Sequence, residues 1–555
     1  MKLISTAITL LLLTFIFGYI SNLPQDVGAD VPQGKLNSLS YAPFHEGQSP
    51  MTEIFPSEQQ ISDDLQLLSN KTFSIRTYAS AEGTMPTIPA LARKHGLTMI
   101  QGAWLGGIEK GNQVEINELI RSANANPDVI KRVIVGNEVL LRGDLPPEAL
   151  IKAIRTVKKA VKQPVSYADV WSMYMKYPEI INEVDFITIH ILPYWEDEPI
   201  AVNAAPAHIE RIYHHVQEEA RKLSADKPIL IGESGWPSVG KQRGLAIPSV
   251  SNEARFIRGL ITVANTNHFD YNIVEAINQS WKSNLEGVVG ANWGLLSIDR
   301  KDVFPLTGKV YEHPHWLNNK LFAGFLFITL LIFTHKALRV LPTHYLVILL
   351  SAIQLSLVCW CEQIDFLWAT SYSLGQHLLT GIIILINAAL GFILLNYAYT
   401  LARQQAQHSV YALWGQRLYA VCVLFALMKT LSLAINGRYI SFPTEQFYLL
   451  ITGISTVIII SFINKTPPFA SFILPRYHWL GRGLILSGIA LIIGETSAFF
   501  VSRDLIAAYP SITHRLATSL SFTLSNNQLV TWLSNLGVLA LPYFIYAKTN
   551  TTQAK

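Results

Sequence analysis

Eight long apolar runs limit what this 555-residue chain can fold into. They lie near residues 3–20, 320–335, 343–360, 377–400, 418–436, 447–463, 483–501 and 529–547. Each run is long enough to cross the roughly 30 Å hydrocarbon core of a bilayer as a helix. Hydrophobic residues make up 50% of the chain and charged residues only 15%, so a single soluble domain is excluded. The sequence predicts a multi-span membrane protein with one long soluble segment after the first run.

The flanks of these runs predict the topology. Lys2 precedes the first run and no Ala-x-Ala-like cleavage site follows it, which favours a retained signal anchor over a cleaved signal peptide. Basic residues are concentrated in alternate loops, which the positive-inside rule assigns to the cytoplasm. We therefore expect a multi-pass protein of the cytoplasmic (inner) membrane with its soluble segment on the periplasmic or extracellular side. The expected domains are a signal anchor at 1–22, a soluble domain at 23–318 and a transmembrane domain of about seven helices at 319–555.

Two ionisable residues, Lys429 and Glu495, fall inside the apolar runs. Each lies at about the same depth from the predicted cytoplasmic start of its helix, so we expect them to form an ion pair. Two roles are open for this pair, a structural salt bridge and part of a polar path for a polymer.

Composition and missing motifs exclude several classes of protein. All three cysteines, Cys359, Cys361 and Cys422, lie in apolar runs, so the soluble segment has no disulfide, and neither thiol chemistry nor structural zinc is expected. That segment has more acidic than basic residues, which argues against a nucleic-acid partner. It also lacks the Asp-x-Asp and Gln-x-x-Arg-Trp motifs of a nucleotide-sugar synthase. No cofactor is expected, and the lipid bilayer is the one partner that these features imply.

The soluble segment alternates short β-branched or apolar runs with amphipathic helical segments. The predicted strands are 36–44, 73–79, 98–106, 133–139, 164–170, 185–194, 228–236 and 271–281. The clearest helical periodicity is at 146–161, where aliphatic residues share one face and lysines the other. Eight strands alternating with helices in about 250 residues predict an α/β fold, a (β/α)₈ TIM barrel, followed by an all-α multi-span transmembrane domain.

Polar, acidic and aromatic side chains gather where these strands end. Because the active site of such a barrel lies at the carboxyl ends of its strands, we take them as candidate site residues. The candidates are Arg76, Tyr78, Trp104, Asn137, Glu138, Asp169, Trp171, His190, Tyr194, Glu233, Trp236, Glu275 and Trp281.

Two of the candidates, Glu138 and Glu233, suggest a reaction. They end the fourth and seventh predicted strands and are expected to face each other across the barrel mouth. Cleavage of a glycosidic bond with retention of configuration needs a nucleophilic carboxylate about 5 Å from a carboxylic acid. Asn137 is placed to hydrogen-bond a sugar hydroxyl, and Trp and Tyr rings provide apolar faces for pyranose rings.

His190 has two interpretations at this stage. It is either a hydrogen-bonding partner of a catalytic carboxylate or a buried imidazole satisfied within the core. A metal site is not predicted, because no second His or Cys accompanies it at ligand spacing.

Several segments make the soluble domain similar to a known family over about residues 36–300. They are Gly136-Asn137-Glu138-Val139, Ala168-Asp169-Val170-Trp171, His190-Ile191-Leu192-Pro193-Tyr194-Trp195, Gly232-Glu233-Ser234-Gly235-Trp236-Pro237-Ser238, Trp281-Lys282, Glu286-Gly287 and Trp293-Gly294-Leu295. The domain resembles glycoside hydrolase family 17, the β-1,3-glucanase family, and in particular its membrane-attached bacterial members.

The resemblance implies roles for individual residues. Glu138 would be the general acid/base and Glu233 the nucleophile, with Tyr194 beside the nucleophile. Three further polar groups, Glu275, Lys282 and Glu286, would line the acid/base side. The chain departs from the family at Ile277-Asn278-Gln279-Ser280, where relatives tend to have an aromatic-acid-Gln/Glu-Pro sequence.

Resemblance also implies a substrate, β-1,3-glucan, without deciding what attacks the glycosyl-enzyme. Attachment to a membrane favours a glucanosyltransferase that elongates or branches β-glucan over a plain endo- or exo-β-1,3-glucanase. A separate glucan synthase is then an expected partner. A third alternative is a non-catalytic protein that binds or exports glucan, which the presence of both Glu138 and Glu233 disfavours.

Overall fold

The computed structural model describes residues 2–223, 226–405, 409–466, 469 and 479–553. Its contacts divide the chain into two compact units. One unit is Pro24–Glu312, and the other combines Met1–Leu23 with His313–Lys555. The division falls a few residues before the boundary expected at 318, and the first helix, α1 (Lys2–Ser21), groups with the C-terminal helices.

The first unit contains eight parallel strands that close into a barrel in chain order. They are β1 (Leu39–Ser40), β2 (Ser74–Arg76), β3 (Thr98–Ala103), β4 (Ile130–Asn137), β5 (Val165–Val170), β6 (Ile187–His190), β7 (Ile229–Ser234) and β8 (Asp270–Ile273). Each overlaps one predicted strand, and β8 pairs with β1 to complete the ring. The structure confirms the predicted (β/α)₈ barrel.

Several predicted strands were too long at their carboxyl ends. Glu275 and Trp281 were placed on the eighth strand, but β8 ends at Ile273. The backbone leaves the barrel ladder there, because Glu275 N–H donates to Trp293 O at 3.0 Å and Leu295 N–H donates to Glu275 O at 3.0 Å. Trp281 lies in a 3₁₀ turn, Ser280–Lys282.

Helices surround the strands of this unit. They are α2 (Glu58–Leu68), α3 (Ile88–Lys94), α4 (Glu109–Ala125), α5 (Val139–Arg142), α6 (Pro147–Ala160), α7 (Trp171–Lys176), α8 (Glu179–Glu183), α9 (Ala205–Leu223), α10 (Val250–Asn267) and α11 (Ser283–Gly290). The bounds of α6 confirm the helix predicted at 146–161, and its buried face contains Leu150, Ile154 and Val157.

Alternation along the strands divides the core of this unit in two. Ile100 and Ile134 belong to a small cluster with Ala168, Phe186 and Leu230. Their chain neighbours on β3 and β4 belong instead to the large cluster shared with the helices. Period-two alternation therefore buries both faces of the sheet, and the polar ends of the strands remain to form the barrel mouth.

The second unit is helical. After α1 it contains α12 (Trp316–Leu338), α13 (Thr343–Ala369), α14 (Leu374–Ala402), α15 (Ser409–Asn436), α16 (Tyr448–Asn464), α17 (Trp479–Phe500), α18 (Arg503–Ala508), α19 (Ile512–Leu524) and α20 (Asn527–Gln553). Among the described residues, eight helices are long and apolar enough to cross a membrane, namely α1, α12 to α17 and α20. Their number and order match the eight apolar runs.

The predicted ion pair between Lys429 and Glu495 is not formed in the described part of the chain. The helices that carry them, α15 and α17, pack against each other, but the Lys429 ammonium lies over the ring of Phe425, 5.5 Å from its centroid. The prediction of an ion pair was therefore wrong. Its reasoning used only the depth of each residue along its helix, and equal depth does not fix the direction in which each side chain points.

The helices α1 and α12 are joined at their ends by a reciprocal pair of hydrogen bonds. The Asn22 amide donates to His313 O at 2.8 Å, and His313 N–H donates to Asn22 Oδ1 at 2.9 Å. Next to this pair Gly18 packs on the indole of Trp316, where a Cβ would lie only 2.7 Å from a ring carbon. The end of the first helix is therefore fastened to the start of the next helix of the same unit.

Candidate active site

Five predicted residues meet at the mouth of the barrel. His190 Nδ1 lies 2.9 Å from Glu138 Oε1, and its Nε2 lies 3.6 Å from Glu233 Oε1. Arg76 donates to Glu233 Oε1 at 2.8 Å and to Asn137 Oδ1 at 2.6 Å. One oxygen of Glu138 and one of Glu233 lie within 4.8 Å of each other. The structure therefore brings the two carboxylates together around one imidazole and one guanidinium.

The backbone after β4 aims Glu138 into this cluster. Glu138 has a left-handed conformation, φ 52° and ψ 29°, which costs a non-glycine residue about 1–2 kcal/mol. Its N–H donates to Ala168 O on β5 at 2.8 Å, and its carbonyl accepts from Arg142 N–H at 2.9 Å. The reversal ends β4 at Asn137 and begins the short helix α5 directly after Glu138.

Burial separates the environments of the two carboxylates. The side chain of Glu138 is 24% exposed, and that of Glu233 is 11% exposed. Burial alone would raise the pKa of Glu233, but His190 and the Arg76 guanidinium hold that pKa below its usual range. Glu233 is therefore kept ionised, while Glu138 lies where a substrate oxygen can approach it.

A second group of charges lies beside the first. Lys282 Nζ is 2.8 Å from Glu275 Oε2, and Glu275 is buried. Burial raises the pKa of Glu275, although Lys282 opposes this. Burial also raises the pKa of Glu286, where the charges of Glu138 and Glu233 add to the rise and Lys282 again opposes it. The three polar groups expected near the carboxylates are thus electrostatically coupled to them.

The aromatic candidates divide by exposure. Trp104 is 38% exposed, and the Arg142 guanidinium stacks on it at 4.4 Å. Tyr78 is half-buried against Arg76, and Trp281 is half-buried with its ring edge against Phe44. These three rings retain surface that a sugar can contact.

Four other candidates are held by contacts within the protein, and three of them have no exposed surface. Trp236 is fully buried, and its indole N–H donates to Ile247 O at 2.9 Å. Tyr194 is fully buried and donates from its hydroxyl to Lys241 O. Asp169 has no exposed surface. Trp171 starts α7 and packs edge-on against His215 of the outer helix α9. An aromatic or acidic residue near a strand end can point into the core, and the sequence alone does not give that direction.

Sequence reasoning missed Tyr167, Arg142 and Glu115. The Tyr167 hydroxyl accepts from Leu140 N–H at 3.0 Å and donates to Asp169. Glu115 on α4 accepts backbone N–H bonds from the loop after β2 and from Trp104 N–H at 3.1 Å. A signal existed only for Tyr167, which lies two residues before Asp169 on one strand and therefore on the same face.

The departure at Asn278 has a structural explanation. Its side-chain oxygen accepts from Gly294 N–H at 2.8 Å, and its amide nitrogen donates to Asn292 Oδ1 at 3.2 Å. These two bonds join the segment after β8 to the loop around Trp293, so a neutral amide at this position holds the two segments together.

Glu138, His190 and Glu233 are also residue types that bind metal ions, and the structure brings together donors that sequence spacing did not reveal. A metal ion would have to share Glu233 Oε1 with the Arg76 guanidinium, 2.8 Å away. A fixed positive charge on that oxygen repels a divalent cation. The residues therefore suit a carboxylate pair better than a metal centre.

Comparison with known proteins agrees with this chemistry. The model of the BtgE/BtgC glycoside hydrolase domain matches residues 38–294. A glucan 1,3-beta-glucosidase of Arthroderma benhamiae is 26% identical over 264 residues, which covers 44% of this chain and 84% of that protein. A glucan 1,3-beta-glucosidase of Schizosaccharomyces pombe is 27% identical over 243 residues, covering 40% of this chain and 74% of that protein.

Among solved structures, the family 17 beta-1,3-glucanosyltransferase of Rhizomucor miehei is 27% identical, with a TM-score of 0.42. The match covers 48% of this chain and 95% of the Rhizomucor chain. The barrel and its matched segment define a glycoside hydrolase domain. Within that class, the barrel domain of this chain is similar to members of glycoside hydrolase family 17.

Proposed function

We propose that the barrel domain is a retaining β-1,3-glucan glycosidase that remodels glucan by transfer, with Glu233 as nucleophile and Glu138 as acid/base. The observation that carries this proposal is the distance between their oxygens, within 4.8 Å. Retaining enzymes hold their carboxyl groups about 5–5.5 Å apart, whereas inverting enzymes need about 6.5–9.5 Å to fit a water molecule between them.

In the first step a Glu233 oxygen attacks the anomeric carbon and the bond from that carbon to the leaving oxygen breaks. The proton of Glu138 goes to the leaving oxygen, which departs as a sugar hydroxyl. Arg76 and His190 favour the ionised form of Glu233 that this attack requires. In the second step an incoming hydroxyl gives its proton to Glu138 and displaces Glu233 from the anomeric carbon.

The identity of the incoming hydroxyl separates transfer from hydrolysis. A sugar hydroxyl elongates or branches the glucan, and water shortens it. Eight apolar helices support attachment to a membrane, which suits an enzyme acting on a polymer as it emerges from a separate synthase. The excess of basic residues in alternate loops supports a location of the barrel outside the cytoplasmic membrane. The names of the relatives include both glucosidases and a glucanosyltransferase.

The test is the incubation of the purified full-length chain in detergent with end-labelled β-1,3-gluco-oligosaccharides, followed by sizing of the products. Products longer than the donor support transfer, and shorter products alone support a plain glucanase. If no product forms, the enzymatic proposal is overturned and a protein that only binds glucan is supported. Glu118→Gln, at an exposed ion pair with Arg121 on α4, is the matched carboxylate control and should keep full activity.

Azide and a dinitrophenyl β-glycoside donor assign the two carboxylates. In Glu233→Ala, azide enters the face vacated by the carboxylate and gives an α-glycosyl azide. In Glu138→Ala, azide displaces Glu233 from the covalent intermediate and gives a β-glycosyl azide. The opposite configurations would reverse the roles of Glu138 and Glu233.

A further inference from the structure

Three consecutive residues of β5 hold the backbone that carries Glu138. Ala168 O accepts from Glu138 N–H at 2.8 Å, and the Tyr167 hydroxyl accepts from Leu140 N–H at 3.0 Å. Asp169 Oδ2 accepts from Leu141 N–H at 3.4 Å. The segment 138–141 is therefore fastened to β5 at three successive points.

Tyr167 and Asp169 act as one unit. Both are buried, with 1% and 0% of their surface exposed. The Tyr167 hydroxyl donates to Asp169 Oδ2, and Asp169 Oδ1 accepts from Val170 N–H at 2.8 Å. Because the Tyr167 hydroxyl donates its hydrogen bond to Asp169, a lone pair of the hydroxyl oxygen is free to accept from Leu140 N–H. Asp169 was predicted to bind substrate, but its burial and its occupied oxygens give it a different role.

The charges that face Asp169 include Glu138. Burial raises the pKa of Asp169 to about 6, with a further rise from the charge of Glu138. The Tyr167 hydroxyl, His190 and the N–H of Val170 oppose this rise. Asp169 is therefore coupled to Glu138 both through the backbone and through charge.

We propose that Tyr167 and Asp169 are positioning residues for Glu138, which hold the left-handed turn at Glu138 so that its carboxyl reaches the leaving oxygen. This role rests on the proposed function, in which Glu138 is the acid. Neither residue touches the substrate, so both act through the backbone of 138–141 and through the charge of Asp169.

Leaving groups of different basicity test this role. A sugar leaving group needs a proton from Glu138, whereas dinitrophenolate departs without one. The variants are Tyr167→Phe, which removes the bond to Leu140, and Asp169→Asn, which keeps the shape and removes the charge. Tyr174→Phe is the matched control, because its buried hydroxyl donates to Tyr167 O on β5 and has no bond to 138–141.

The rates of the first step are measured with the full-length chain, by pre-steady-state burst for the dinitrophenyl glycoside. General acid catalysis raises reaction rates roughly 10²- to 10⁴-fold. A displaced Glu138 carboxyl should therefore lower kcat on β-1,3-gluco-oligosaccharides by about tenfold or more, with KM little changed. The burst rate on the dinitrophenyl glycoside should fall by less than about threefold. Tyr174→Phe should leave both rates near those of the native chain.

Equal losses on the two substrates in Tyr167→Phe and Asp169→Asn would overturn the positioning role, as would no loss on either. Glu138→Gln separates this result from the proposed function. If Glu138→Gln itself shows no dependence on the leaving group, the assignment of Glu138 as acid fails. If Glu138→Gln shows that dependence and the two β5 variants do not, only the positioning role fails.

Discussion

Replacement of Arg76 by methionine tests how the barrel keeps Glu233 ionised. Arg76 is 1% exposed, and its guanidinium donates to Glu233 Oε1, to Gly232 O at 3.1 Å and to Asn137 Oδ1. Methionine is unbranched and fills much of the space of the arginine stem while removing the charge and all three hydrogen bonds. Glu233 would remain buried in the variant, with His190 Nε2 3.6 Å from its Oε1.

The magnitude follows from the buried pair. Removal of one partner of a buried ion pair costs about 3–5 kcal/mol, which corresponds to roughly 10²- to 10⁴-fold in an equilibrium constant. Burial alone would raise the pKa of Glu233, and Arg76 is one of the groups that hold that pKa below its ordinary value of 4.5. Without Arg76 the pKa of Glu233 rises. Because attack requires the ionised carboxylate, the acid limb of kcat/KM should move to higher pH.

Arg76→Met should also change how the stability of the folded chain depends on pH. A lowered pKa of Glu233 in the folded state contributes stability that is present above the unfolded value near 4.5 and is lost as pH falls through the folded value. Arg76→Met removes that contribution. The difference in unfolding temperature between the native chain and the variant should therefore be small in acid and grow as pH rises, reaching its full value above the raised pKa that Glu233 has in the variant.

The assays are the pH profile of kcat/KM and thermal unfolding of the full-length chain in detergent. Arg258→Met is the matched control, because Arg258, on α10, is 3% exposed and pairs with Asp30, away from the carboxylates. It should lower stability and leave the acid limb in place. If Arg76→Met does not fold, Arg76→Lys keeps the charge and should give a smaller shift. An acid limb that coincides in the Arg76 variant and the native chain would refute the electrostatic reasoning.

Three other outcomes are expected. Trp104→Ala should raise KM for oligosaccharides with little change in unfolding temperature, whereas Trp236→Phe should cost about 2–3 kcal/mol of stability with little change in KM; the reverse pattern would contradict their exposures. Asp169→Asn removes a carboxyl whose pKa is raised from 3.8 to about 6. The free energy of unfolding of the native chain should therefore fall by about 3 kcal/mol relative to that of this variant as pH rises from about 4 to above 6. Denaturation at pH 4 and pH 7 measures this difference, and an equal stability gap at the two pH values would mean that the pKa of Asp169 is normal. Lys282→Met should destabilise the barrel by about 3–5 kcal/mol by leaving Glu275 buried alone, and adding Glu275→Gln should recover much of the loss in a double-mutant cycle; additive losses would mean that the pair is not coupled.

The barrel could be predicted from the sequence because each buried parallel strand is a short β-branched or apolar run, and these runs recur between amphipathic helices. The ends of the strands could not. Hydrogen bonds between Glu275 and the loop around Trp293 and Leu295 end β8, and those partners lie about twenty residues along the chain. The two carboxylates were found together because strand ends meet at one edge whatever their separation in sequence.

Side-chain direction was the part that sequence could not give. Trp104 and Trp236 both follow barrel strands, yet one stacks on Arg142 with an exposed face and the other is enclosed in the core. The same limit applies in the helical unit, where Lys429 turns towards Phe425. Asp169 was recognised as a site residue, but its burial and its bond to Tyr167 change what it can do.

The reciprocal bonds between Asn22 and His313 bear on how such a chain can be assembled and engineered. The two positions of the helical unit that flank the barrel in sequence, Asn22 and His313, are hydrogen-bonded to each other. The barrel is therefore inserted between two neighbouring positions of that unit. A gene in which a few residues join position 22 directly to 313 should still encode all eight of the long apolar helices found among the described residues. Conversely, another domain with neighbouring termini could be inserted between positions 22 and 313.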